Sequence, residues 1–166
     1  MTFESATLER AGRVLERCRT ERLTLATAES CTGGLIIGCL TEHAGSSAVV
    51  ERGFVTYDNA AKREMLGVPE TILATVGAVS EESARAMAEG ALAHAPVDLA
   101  VAVTGIAGPG GATPDKPVGL VHFALARRGR PTLHRREVFP GDRHAVRART
   151  VDAALDLVLE ALDQAG

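Results

Sequence analysis

The segment Asp98-Leu99-Ala100-Val101-Ala102-Val103-Thr104 constrains this chain more than any other, because it is apolar at odd and even positions alike. Successive side chains of a strand point to opposite faces, so such a strand has to be covered on both sides. Around it, apolar residues recur at helical spacing in three sets. These are Leu8, Ala11, Leu15 and Cys18; Ala84, Met87, Ala88, Ala91 and Leu92; and Val151, Ala154, Leu155, Val158 and Leu162. Further strands are predicted at 23–27, 53–57, 120–125 and 134–139. Shorter helices are predicted at 35–40, at 60–66 with Asp58 or Asn59 as cap, and at 69–76; Ser80 caps the helix that follows. Helices and strands alternate throughout. The expected fold is therefore a sheet between helix layers, parallel where helices cross over and antiparallel where the chain turns back between Leu125 and His134.

The 166 residues, 46% hydrophobic and 23% charged, supply one core and little more, so residues 1–166 are read as a single domain. A net charge of -3 gives no global attraction to nucleic acid or to an anionic membrane. No apolar run approaches the ~18 residues that cross a bilayer, and the N-terminus lacks the pattern of a signal peptide, which makes a cytoplasmic protein the expectation. Cys18, Cys31 and Cys39 are odd in number and lack CxxC spacing, and are read as small buried hydrophobes. The chain has 16 arginines but only two lysines, Lys62 and Lys116. A lysine kept against that background can do what arginine cannot, which is to lose its proton.

Three turns follow predicted strands: Ser30 to Gly34 and Gly105 to Gly111, both bearing glycines, and Tyr57 to Lys62. In open sheets, turns beyond the carboxyl ends of parallel strands line one crevice. Ser30, in the segment AESCTGG, stands before a predicted helix and reads either as an N-cap or as a nucleophile beside an anion-friendly helix start. The second reading needs a base. Lys62 can serve if burial lowers its pKa, with Tyr57 relaying a proton or orienting the amine, and with Thr104 and the N–H groups around Gly105 receiving an oxyanion.

AESCTGG, GSSAVVERGFVTYDNAAKREMLGV, GAVS, TGIAGPGG, KPVGLVHFA and FPGDRHAVR occur in that order between Leu23 and Arg149. Together they resemble the CinA C-terminal domain, the nicotinamide-nucleotide amidohydrolase family. The resemblance implies a three-layer α/β/α sandwich with a mixed, mostly parallel sheet. It implies hydrolysis of the carboxamide of nicotinamide mononucleotide to the acid and ammonia, with Ser30 as nucleophile, Lys62 as base and Tyr57 assisting. It also implies a homodimer, with no cofactor and no metal needed. Longer family members carry a preceding domain with pyrophosphatase activity, which is not carried over to this chain. A mononucleotide requires an anion site, for which the candidates are the N–H groups of Thr32, Gly33 and Gly34, the Ser47 hydroxyl and Arg143. Asn59 is a candidate for the amide or a ribose hydroxyl.

The alternative is a non-catalytic nucleotide- or nucleic-acid-binding module. It rests on eight arginines between Arg127 and Arg149, opposed only by Glu137 and Asp142. The scarcity of aromatic residues, 3% of the chain, argues against single-strand binding. Cys31 with His43 is a weaker nucleophile–base pair, because the Cys31 side chain should point away from that of Ser30. The five histidines show no HExxH spacing.

Overall fold

The structure, a computed structural model, describes residues 3–164. The strands are β1 (Leu25–Glu29), β2 (Val50–Val55), β3 (Leu99–Gly105), β4 (Leu120–Arg127) and β5 (Leu133–Val138). The helices are α1 (Ser5–Glu21), α2 (Leu35–Thr41), α3 (Asn59–Leu66), α4 (Glu70–Thr75), α5 (Glu81–His94) and α6 (Arg143–Asp163). The five strands form one mixed sheet in the order β2-β1-β3-β4-β5. β1 pairs in parallel with β2 and β3, whereas β4 runs antiparallel to both β3 and β5. Four strands thus point one way and β4 alone is reversed.

Alternation along β3 sorts the two layers. Leu99, Val101 and Val103 face a core built with α1, α2 and α6, while Ala100 and Ala102 face the layer of α3 and α5. On the second face β1, β3 and β4 present a patch of alanines, Ala26, Ala28, Ala100, Ala102, Ala124 and Ala126, bordered by Thr104 and His122. Small side chains let α5 lie close to the sheet with its own Ala84, Ala88 and Ala91. α3 then packs on α5 at Gly90, where an added Cβ would stand 2.0 Å from the Leu66 carbonyl oxygen. Both faces of β3 are covered, as its composition requires.

The strand edges depart most from expectation at β1 and at the start of β2. β1 begins and ends two residues later than predicted, because Glu29, a charged residue that reads as a strand terminus, is wholly buried inside the ladder. β2 starts at Val50 rather than Gly53, after a 3-10 turn at Ser46–Ala48 that no periodicity announced. Caps agree better: the side chains of Asp58, Ser80 and Asp142 accept from the N–H groups of Ala60, Ser83 and Ala145.

Candidate active site

Three segments meet beyond the carboxyl ends of β1, β2 and β3. Ser30 leaves β1 with its N–H donating to the Val103 carbonyl, and Thr56 leaves β2 with its N–H donating to the Glu29 carbonyl. The capped start of α3 then places Lys62 one turn in, on the face turned toward β1. Lys62 is 1% exposed and its Nζ lies 3.1 Å from Ser30 Oγ, 2.8 Å from the Thr56 carbonyl and 3.4 Å from that of Tyr57. The 32-residue separation in sequence has become a hydrogen bond.

That environment favours the neutral amine. Burial pushes the Lys62 pKa down from its ordinary value, opposed by the more distant charge of Asp58, and among the described residues no carboxylate forms a salt bridge with it. A neutral amine has two protons and one lone pair. With the protons donated to the carbonyls of Thr56 and Tyr57, the lone pair is left for the hydroxyl proton of Ser30.

The cleft around this pair measures about 210 Å³ and includes Tyr57, Asn59, Thr104, Gly105 and Arg143 in its walls, together with Cys31, Ala78, Val79 and Ala107. Tyr57 reaches Lys62 only through its backbone carbonyl. Tyr57 as a whole is 63% exposed and its hydroxyl accepts from Arg143, which also donates to the Gly108 carbonyl. No hydrogen bond joins the phenol to Ser30 or Lys62, so a proton relay through it is not assembled. Thr104 spends its one hydroxyl proton on the Ala78 carbonyl at 2.8 Å, which leaves no donor there for an oxyanion. The N–H of Cys31, by contrast, finds no acceptor in another residue among those described.

Thr32, Gly33 and Gly34 lie outside the cleft, and the expected use of the Gly33 and Gly34 N–H groups for an anion is corrected by acceptors within the protein, Glu29 above all. One oxygen of that carboxylate accepts from Thr32 Oγ1 and from the N–H groups of Gly34 and Ile36, and the other accepts from the Ile37 N–H. The Gly33 N–H is bonded to the Ser30 carbonyl. The Gly33 and Gly34 N–H groups and the Thr32 hydroxyl are thus spent inside the protein, whereas the Thr32 N–H, like that of Cys31, finds no acceptor in another residue among those described. Nor is Ser30 an N-cap: α2 begins at Leu35, Gly34 occupies the cap position, and Glu29 does the capping. Ser47, exposed just before β2, sits at the opposite end of the sheet from the cleft.

Cys31 is buried and its thiol is pushed up to about 12 by desolvation, so it carries no thiolate to compete with Ser30. His43 is engaged with the Leu8 carbonyl. Among the described residues, no group of three or more His, Cys, Asp or Glu side chains is placed to hold a metal ion. A larger groove of about 400 Å³ lies between α1 and α6, lined by Phe3, Thr7, Leu35, Val151 and Asp152 among others; its Thr7 hydroxyl donates to Asp152, a carboxylate that also pairs with Arg10. Of the eight arginines from Arg127 to Arg149, all but Arg136 hydrogen-bond to groups of this chain among the described residues, mostly to carbonyls. Arg128 alone gathers the carbonyls of Leu92, Ala95 and Val97.

The family model described as the CinA C-terminal domain matches residues 7–162. A CinA-like protein of Akkermansia muciniphila is 51% identical over 156 residues, covering 94% of this chain and 37% of that protein. A second, from Syntrophus aciditrophicus, is 54% identical over 92% of this chain and 36% of its own length. The chain thus spans little more than a third of these curated relatives. Among solved structures, the competence/damage inducible protein CihA of Agrobacterium tumefaciens superposes with a TM-score of 0.94 at 51% identity, covering 98% of this chain and 99% of that one. A competence-damaged protein (CinA) superfamily protein of Escherichia coli gives 0.90 at 32% identity, covering 97% and 94%.

Proposed function

This chain belongs to the CinA C-terminal domain family, and on that basis we propose that it hydrolyses the carboxamide of nicotinamide mononucleotide, with Ser30 as nucleophile and Lys62 as general base. The observation that carries the reading is the 3.1 Å contact between Ser30 Oγ and a buried lysine amine whose other two contacts are carbonyls. Ser30 Oγ adds to the amide carbon while its proton passes to Lys62 Nζ. The oxyanion forms beside the Cys31 N–H, which we assign as its donor. Collapse of the intermediate breaks the C–N bond, and Lys62 returns the proton to the departing ammonia. A water molecule, deprotonated by Lys62, then cleaves the ester to release the carboxylate and restore Ser30.

A cleft of about 210 Å³ is smaller than the roughly 300–1,000 Å³ of sites that enclose a drug-sized ligand. We therefore place only the pyridine carboxamide in it, with the ribose phosphate passing over the rim. Arg143 at that rim is the cation for the phosphate. The exposed Tyr57 ring beside it is suited to stack on the pyridinium, where cation–π attraction contributes about 0.5–2 kcal/mol. The homodimer implied by the sequence resemblance is part of this reading.

The test is ammonia release from nicotinamide mononucleotide in the presence of a chelator. Activity should persist in the wild type and fall by about 10³-fold or more in Ser30→Ala. An unaffected Ser30→Ala enzyme refutes the mechanism. A wild type that leaves this nucleotide intact but deamidates another amide refutes the substrate alone.

A further inference from the structure

The turn bearing Ser30 is held from two sides by charged residues that do not line the cleft. Glu29 and Ser30 are neighbours at the end of a strand, so their side chains leave on opposite faces: Ser30 toward α3, and Glu29 toward α2 and α6. Glu29 is 0% exposed and its carboxylate gathers four donors, Thr32 Oγ1 and the N–H groups of Gly34, Ile36 and Ile37. A buried charge is costly to keep where a serine or aspartate at the helix start would cap as well, so capping alone does not account for it. From the other side Arg147 of α6 sends Nε to the Cys31 carbonyl at 3.1 Å and Nη2 to the Thr32 carbonyl at 3.0 Å.

Four donors of segment 32–37 therefore converge on an anion and the carbonyls of residues 31 and 32 on a cation. The backbone of Ser30 itself is tied at both ends, its N–H to Val103 and its carbonyl to Gly33. What remains free is rotation of the Ser30 side chain. Lys62 is anchored independently, through the carbonyls at the end of β2. The separation of nucleophile and base is then the joint between two separately fixed parts.

We infer that Glu29 and Arg147 are positioning residues that clamp the turn after Ser30 and thereby set the reach of its hydroxyl to Lys62. The inference rests on the Ser30–Lys62 reading above. A displacement of about 1 Å between reacting groups costs on the order of 100-fold in rate, so the clamp governs turnover without touching substrate.

Phosphonylation of Ser30 by a fluorophosphonate, located by peptide mass mapping in the 166-residue chain, separates the two readings. The probe needs a reactive serine and no nucleotide site. Glu29→Gln and Arg147→Ala should each slow labelling by about 10- to 100-fold while remaining folded by thermal melting. In ammonia release, kcat should fall by a similar factor while KM stays within about twofold of wild type. Arg147→Lys, which can reach one carbonyl but not both, should recover only part of the rate. Labelling of both Glu29→Gln and Arg147→Ala at the wild-type rate, with Ser30 labelled and Lys62→Met slow, overturns the clamp and leaves the nucleophile standing. Absence of Ser30 labelling in the wild type, or labelling indifferent to Lys62→Met, overturns the nucleophile reading and the clamp with it. If Glu29→Gln does not fold, the rate of Arg147→Ala decides.

Discussion

A lysine at 1% exposure with two carbonyls and a serine hydroxyl for company is poised to work as a base, and its behaviour with pH follows in sign. In the proposed mechanism the neutral amine is the active form, so kcat/KM should rise with pH through the Lys62 pKa, which burial sets below the ordinary 10.5. Lys62→Met should lose about 10²–10⁴-fold and flatten that limb. Lys62→Arg should be equally inactive at every pH, because a guanidinium does not give up its proton. Tyr57 and Arg143 make a second, separable prediction at the rim. Tyr57→Phe keeps the ring and should change kcat/KM by less than about threefold, whereas Tyr57→Ala and Arg143→Ala should raise KM by about tenfold, one through stacking and the other through the phosphate. Wild-type KM in Arg143→Ala would move the phosphate elsewhere. At this scale the sequence showed Ser30 and Lys62 through rarity and context, since a chain that uses arginine almost everywhere else retains this lysine. It did not show Glu29 or Arg147. A carboxylate at a strand end reads as solvent-facing, and an arginine on a basic stretch reads as surface charge, until the fold supplies donors for one and carbonyls for the other.

Among the elements, the seam between α3 and α5 bears most directly on the site. Leu66 is one helical turn beyond Lys62 on the same face, and its carbonyl lies over Gly90 at a distance that excludes any side chain. Gly90→Val should therefore push α3 outward, destabilise the protein by about 1–3 kcal/mol or more, and lengthen the contact between Lys62 and Ser30. Urea titration checks the first effect. The second would appear as a fall in kcat larger than the change in KM, and kinetics indistinguishable from wild type would show that the seam and the site are uncoupled. Helices with a clear apolar stripe, α1, α5 and α6, were legible in the sequence, as were the caps of α3 and α5. The start of β2 was not, because Val50, Glu51 and Arg52 carry no period-two pattern on a strand exposed at the sheet edge. The strand order was not legible either, since pairing joins residues far apart in the chain and the composition of β1, β3 and β4 suits any inner place.

Across the whole molecule, the antiparallel side of the sheet holds a titrating pair, one member of which, His122, is the cross-strand partner of Thr104. His122 Nδ1 and His134 Nε2 are 3.0 Å apart, and desolvation, with the nearby charges of His134, Arg136 and Lys116, lowers the His122 pKa from 6.5 to about 4. Between those values the unfolded chain binds a proton that the folded chain refuses. Stability should thus fall as pH drops from 6.5 and level off near 4. His122→Leu should weaken that dependence in urea melts, and an unchanged slope would assign the acid sensitivity to other groups. None of the residues walling the cleft belongs to β4 or β5. The turn between those strands is open: nothing lies within 4 Å of a side chain built on Gly129, while Arg128 and Arg130 on either side hold to the ends of α5 and α6. Such a joint accepts foreign sequence. A reporter domain spliced in after Gly129 should leave amide hydrolysis within about twofold of wild type, making this corner of the sheet a natural socket for a sensor of the reaction at the other.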